Sequence, residues 1–104
     1  TYGEINIWNT NLITDMSNLF ANTVFNDDIS NWDVSSVTDM NVMFYNAESF
    51  NLQIGDWDVS NVTNMYGTFG VAESFNQPIG DWNVSSVTNM VDMFYGASAL
   101  GFKC

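Results

Sequence analysis

The chain has no histidine, no arginine and a single lysine, Lys103. Without histidine, neither a Ser–His nor a Cys–His nucleophile pair can be assembled. The one cysteine, Cys104, leaves no internal disulfide framework. There is no apolar run long enough to span a bilayer and no signal-peptide pattern, so membrane insertion is not expected. Thr1 in place of an initiating Met reads as the start of a processed chain or of a fragment. Twelve acidic residues against one basic residue give a net charge of -11. Such a surface repels phosphate backbones and anionic lipid, which excludes nucleic acid as a partner. Cationic partners, metal ions and neutral polar ligands remain. The acidity is not that of a disordered tail, because 46% of the residues are apolar and 15% aromatic, enough to bury a core.

What the sequence does have is repetition. Asn31–Met40 (NWDVSSVTDM), Asp56–Met65 (DWDVSNVTNM) and Asp81–Met90 (DWNVSSVTNM) are near copies, with a worn one at Ile7–Met16 (IWNTNLITDM). Tryptophans fall at 8, 32, 57 and 82, and further columns keep the same step. They are Ile5/29/54/79, Val34/59/84 with Thr10, Ile13 with Val37/62/87, Met16/40/65/90, Phe20/44/69/94, Ala47/72/97, and Phe25/50/75 with Leu100. A fixed period near 25 residues predicts stacked coils, each too small to bury its own apolar face.

Two local periods are read within each coil. Ile79, Trp82 and Val84 against Asp81, Asn83 and Ser85 predict a short strand. Val87, Met90, Met93 and Phe94, three and four apart, predict a short helix. Ser36, Asn61 and Ser86 stand as its N-caps. Asn22, Asn46 and Gly96 stand as stop residues that tolerate a left-handed backbone, with the stop shifted at Gly70-Val71. The only proline, Pro78, lies in the return turn before a strand, where a missing N–H does least harm. The expected fold is therefore α/β. It is a single repeat domain over 1–104, forming a short right-handed solenoid of four coils (about 5–28, 29–53, 54–78 and 79–104). Each coil has one strand and one short helix, with a parallel sheet on one face. Cys104 is in register with Ile79, so the chain reads as part of a longer repeat protein whose last coil face is exposed.

The apolar pattern I-x-x-W-x-V-x-x-V-x-x-M-x-x-M-F resembles a leucine-rich repeat with Trp and Val at strand positions. Ser-Ser-Val-Thr-Asp/Asn-Met, Met-Phe-Tyr, Ala-x-Ser-Phe-Asn-Gln and Ile-Gly-Asp-Trp resemble, more closely, the repeat of BspA-like leucine-rich-repeat surface proteins, which Mycoplasma lipoproteins also carry. The resemblance is strong over Ile29–Leu100 and weak in the first coil. It implies an extracellular or cell-surface module acting in adhesion, and it supplies no catalytic residues.

Candidate sites follow from the columns. Trp8, Trp32, Trp57 and Trp82 share the phase of Ile and Val and read as a core ladder rather than a sugar-stacking platform. The methionine column reads as core filler. On the outward strand positions lie Asn31, Asp56 and Asp81; Asn9, Asp33, Asp58 and Asn83; and Ser35, Ser60 and Ser85. In register, Asp33 lies beside Asp58 and Asp56 beside Asp81. Like charges at one strand spacing call for screening or a cation, so these four are the candidate site for weak binding of Ca²⁺ or another hard cation. The plainer reading is a solvated acidic face. Asn26, Asn51 and Asn76 read as a ladder satisfying turn amides. Thr14, Thr38, Thr63 and Thr88 form a flat row of the kind that binds ice in some solenoids. Asn61 and Asn83 head glycosylation sequons. A carboxylate pair is the only catalytic device available, and acids that repeat with the coil do not make the single constellation an active site needs. Enzyme activity is not expected, nor any cofactor beyond the candidate Ca²⁺. The function expected is a non-catalytic surface module binding a protein or glycan through the acidic face. The alternative is a structural protein whose coil ends stack copy on copy into a filament.

Overall fold

The computed structural model describes residues 5–100. Thr1, Lys103 and Cys104, and with them the disulfide and core alternatives for Cys104, lie outside the described residues.

The repeats stack in register, but not as an α/β solenoid with a parallel sheet. Among the described residues the only helix is the 3₁₀ segment Ile5–Ile7. The only extended pairing is three isolated parallel bridges, Asp15–Asp39, Asp39–Asn64 and Asn64–Asn89. The expected strand at Ile79–Val84 and helix at Val87–Phe94 are both absent. In their place the chain runs as a succession of tight turns. In the second repeat the N–H of Trp32 bonds the carbonyl of Ile29, Val37 that of Val34, Met43 that of Met40, Ala47 that of Phe44 and Phe50 that of Ala47. The third repeat repeats this at 57/54, 62/59, 68/65, 72/69 and 75/72, and the fourth at 82/79, 87/84, 93/90, 97/94 and 100/97.

This explains the misleading periodicity. Each of the turns named in the second and third repeats closes between two buried residues three apart, so apolar positions recur at i, i+3 and i+4 without any helix. The first two turns place Ile29, Trp32, Val34 and Val37 inward at uneven spacing, which mimics alternation. A helix is barred by the backbone itself. Asn18, Val42, Gly67 and Asp92 all have positive φ, and so do Asn22, Asn46, Val71 and Gly96. A left-handed residue every fourth position breaks the i→i−4 ladder. Asn22, Asn46 and Gly96 do adopt the left-handed conformation expected of them, at 60°, 57° and 71°, although they end no helix. The shifted stop at Gly70 does not occur. Val71 itself takes φ 54°, while Gly70 is needed for a different reason, since a Cβ there would lie 2.8 Å from the Tyr45 ring.

The turns free alternate amides to bond between repeats. Amides 16, 18, 20 and 22 donate to carbonyls 39, 41, 43 and 45. Amides 40, 42, 44 and 46 donate to 64, 66, 68 and 70, and amides 65, 67, 69 and 71 to 89, 91, 93 and 95. Bonds in the other direction run from the Thr38 and Asp39 N–H groups to the Thr14 carbonyl, from those of Thr63 and Asn64 to the Thr38 carbonyl, and from that of Thr88 to the Thr63 carbonyl. The backbone polar groups are thus satisfied by stacking rather than by a sheet.

Side chains stack on the same register. Phe20, Phe44, Phe69 and Phe94 form a column with ring centroids 5.6, 5.5 and 5.7 Å apart. Phe25, Phe50 and Phe75 pack face to face on the first three of these rings. The Trp32, Trp57 and Trp82 indoles each donate to the carbonyl of the Ile in the preceding repeat, Ile5, Ile29 and Ile54, at 2.8, 3.1 and 3.0 Å. Those three are buried. Trp8 is not part of the core ladder, because it is 45% exposed. Tryptophans reach toward the preceding repeat, and Trp8 lies in the first. Methionines reach the other way: Met16, Met40 and Met65 are buried, while Met90 in the fourth repeat is 43% exposed. Thr10, standing where later repeats have Val, is buried and donates its hydroxyl to the Asp33 carbonyl at 2.9 Å. Thr68 replaces a core methionine in the same way, donating to the Met40 carbonyl.

Candidate functional site

With no sheet there is no sheet face. The outward residues Asn31, Asp33, Asp56, Asp58, Asp81, Asn83 and Ser85 are exposed, and Ser35 and Ser60 half-buried, at the corners between turns. Their chemistry is first of all local. Asp33 Oδ1 accepts the Ser35 amide at 2.9 Å and the Ser35 hydroxyl at 2.6 Å. Asp58 does the same with Ser60 at 3.0 and 2.6 Å, and Asp28 with Ser30 at 2.9 and 2.7 Å. Asn9 and Asn83 hold the amides of Asn11 and Ser85 in the same way. These are Asx turns, in which the short side chain mimics a backbone turn. The serine hydroxyl, and after it the serine amide, holds the carboxyls of Asp28, Asp33 and Asp58 below the ordinary carboxylate range. The negative charge of Asp33 acts weakly in the opposite sense on Asp58, in keeping with their equivalent places in adjacent repeats.

A second Asx column went unread as such in the sequence. Asp15, Asp39, Asn64 and Asn89 accept the amides of Ser17, Asn41, Tyr66 and Val91 at 2.9 to 3.0 Å. The signal was present as the Asp or Asn before each Met. These side chains turn the corner at the bridges and leave Met free to enter the core.

For a metal ion, the arrangement offers Asp33 and Asp58 as a pair. No group of three or more acids or thiols converges among the described residues, whereas Ca²⁺ takes six to eight oxygens. The Thr hydroxyls of 38, 63 and 88 each donate to the carbonyl of the preceding Thr at 3.1 to 3.3 Å, so the row serves the stack. Asn51 and Asn76 amides bond Asn26 and Asn51 Oδ1 at 3.3 and 2.8 Å, forming the expected turn ladder. The two sequon asparagines differ. Asn61 Nδ2 donates to the Ser35 carbonyl at 2.7 Å, a bond that a glycan on that nitrogen would disturb. Asn83 bonds through Oδ1, which leaves its nitrogen at the surface.

The other notable surface is the outer face of the fourth repeat. A cavity of about 640 Å³ opens there, lined by Asn76, Ile79, Val84, Met90 and Phe94 among others. The equivalents of these apolar residues in the middle repeats are closed off. No helix among the described residues is long and apolar enough to cross a membrane.

Searches of curated proteins and of solved structures give no significant match. A family model does match, over residues 1–103, and its description is "Mycoplasma protein of unknown function, DUF285". A match over nearly the whole chain covers every repeat described above, and the chain belongs to this DUF285 family.

Proposed function

We propose that the chain is a non-catalytic display module that engages a basic protein surface through its exposed acidic corners. The observation that carries this reading is the placing of Asp33 and Asp58 at equivalent corners of adjacent repeats, with no Lys, Arg or His side chain among the described residues to answer them. Each carboxylate is held ionised and oriented by its serine. The whole sequence carries one lysine and no arginine, so the field of the acidic columns is directed outward and favours a cationic partner. The rigid register fixes the spacing of the charges, which a flexible acidic tail would not do. The resemblance of the repeat motifs to BspA-like surface repeats supports an extracellular or cell-surface setting and an adhesive role.

The test uses immobilised oligolysine as probe. The double variant Asp33→Asn/Asp58→Asn is compared with Glu48→Gln/Glu73→Gln, which removes the same charge from two exposed positions elsewhere. The reading expects the aspartate pair to weaken retention more than the glutamate pair at every salt concentration. Equal weakening would mean that net charge alone is responsible, and the acidic corners would lose their special role.

A further inference from the structure

We infer that the folded chain presents one acceptor for N-linked glycosylation, Asn83, and that the stack itself closes the second, Asn61. The inference does not rest on the reading of the acidic corners.

Two Asn-x-Ser/Thr acceptor patterns occur, Asn61-Val62-Thr63 and Asn83-Val84-Ser85. Their local sequences are much alike, but they fall at different places in the repeat. Asn61 is in the column of Ser36 and Ser86, and Asn83 in that of Asn9, Asp33 and Asp58.

Position 61 belongs to a joint between repeats. Asn61 Nδ2 donates to the Ser35 carbonyl of the preceding repeat at 2.7 Å, as Ser36 Oγ donates to the Asn11 carbonyl at 2.8 Å. The hydroxyl of the same pattern is also taken, because Thr63 Oγ1 donates to the Thr38 carbonyl at 3.1 Å. Both groups that define this acceptor are thus held by the backbone of the second repeat. A sugar reaches the Asn61 nitrogen only by displacing the Ser35 carbonyl from it.

Position 83 belongs to a corner. Asn83 Oδ1 accepts the Ser85 amide at 3.0 Å, a bond within its own turn. An amide N–H only donates and a carbonyl only accepts, so these partners fix which way each Asn side chain points. The Asn83 nitrogen, unlike that of Asn61, makes no bond among the described residues. Ser85 is free in the same sense. The hydroxyls of Ser35 and Ser60 are tied to Asp33 and Asp58 at 2.6 Å, whereas Asn83 takes only the Ser85 amide and leaves the hydroxyl at the surface. This exposure belongs to the corner and not to the end of the stack, since Asp33 and Asp58 are exposed with a repeat packed on either side.

The corner also suits the reaction. A carboxamide nitrogen is a poor nucleophile because its lone pair is delocalised toward the oxygen. A donor on that oxygen stabilises the amide as it loses a proton, and the Ser85 N–H supplies one. In the transfer, Asn83 Nδ2 forms a bond to the anomeric carbon of an oligosaccharide carried on a lipid diphosphate. The bond from that carbon to the diphosphate oxygen breaks, and the diphosphate leaves with the electron pair. The amide proton passes to a base of the transferase.

The experiment incubates the purified folded chain with a lipid-linked oligosaccharide and an oligosaccharyltransferase that modifies short peptides of both patterns, and reads the intact mass. The folded chain is expected to gain one glycan. Asn83→Asp copies Asp33 and Asp58, so it keeps the turn, and it is expected to abolish the gain. Asn61→Ser copies Ser36, which bonds the preceding repeat in the same way, and it is expected to leave the gain unchanged. Modification of the folded chain at Asn61, at both sites alike, or at neither would overturn the inference.

Discussion

Val71 gives the sharpest test of the turn architecture. It is a β-branched residue at φ 54°, a conformation that costs an L-residue with a Cβ about 1–2 kcal/mol. Its column holds Asn22, Asn46 and Gly96, residues that adopt this conformation readily. Replacing Val71 with Asn relieves most of that strain. The new side chain would also extend the bond between Asn46 Nδ2 and Asn22 Oδ1, 2.9 Å long, by one repeat; such a bond contributes about 0.5–1.5 kcal/mol. Against this, Val71 is half-buried, and losing that contact forfeits about 1 kcal/mol, half the range for a fully buried aliphatic. The net expectation is stabilisation of about 1 kcal/mol. In a domain of this size that is a rise of about 4–8 °C in Tm, with a higher urea midpoint and unchanged m value. In the converse variant, Gly96→Val, the new Cβ makes ordinary contact with Val71 at 3.5 Å. It should lose about 1–2 kcal/mol through the backbone alone. A loss of stability in Val71→Asn together with no loss in Gly96→Val would refute the left-handed column and the turn architecture resting on it.

Three further outcomes are expected. Trp57→Ala should cost about 3–5 kcal/mol, because the indole is buried and bonded to the Ile29 carbonyl. Trp8→Ala, at a partly exposed position, should cost clearly less by urea denaturation, and equal losses would contradict the stacked arrangement. Gly55→Ala puts a Cβ 2.6 Å from the Pro78 carbonyl, at the junction with the fourth repeat, and should cost about 1–3 kcal/mol. The equivalent Gly80→Ala meets nothing within 4 Å and should leave the melting temperature of dilute protein nearly unchanged; similar losses at both would disprove the close approach of repeats. Asp28, Asp33 and Asp58 have carboxyls held below their ordinary range. Their stabilisation is complete above the unfolded-state value near pH 4 and is lost as pH falls through the lower folded-state values. Asp58→Asn keeps the turn, as Asn83 shows by holding Ser85, so its stability should depend less on pH below about 4. An unchanged acid limb would remove these turns from the account.

The sequence by itself determined the repeat, its register and its inward set. Columns stepping by 24 and 25 residues can be satisfied only if like residues stack, because a unit this small buries little alone. The phenylalanine column, the buried Trp32, Trp57 and Trp82, and the asparagine turn ladder were all legible on that ground. Local conformation was not. Spacings of three and four between Val87, Met90, Met93 and Phe94 fit a helix and a chain of turns equally well, since both bring i and i+3 to one side. Tertiary structure decided between them. Once repeats lie in register, an amide at Met40 or Phe44 can bond the next repeat, and a left-handed residue between such amides turns them all the same way. That option does not exist for one repeat in isolation, so no local signal records it. Val42 and Val71 even argue against it locally. The acidic corners divided along the same line. The sequence placed Asp33 and Asp58 in one column, but only the stacked chain showed that each is first a turn-former for Ser35 or Ser60.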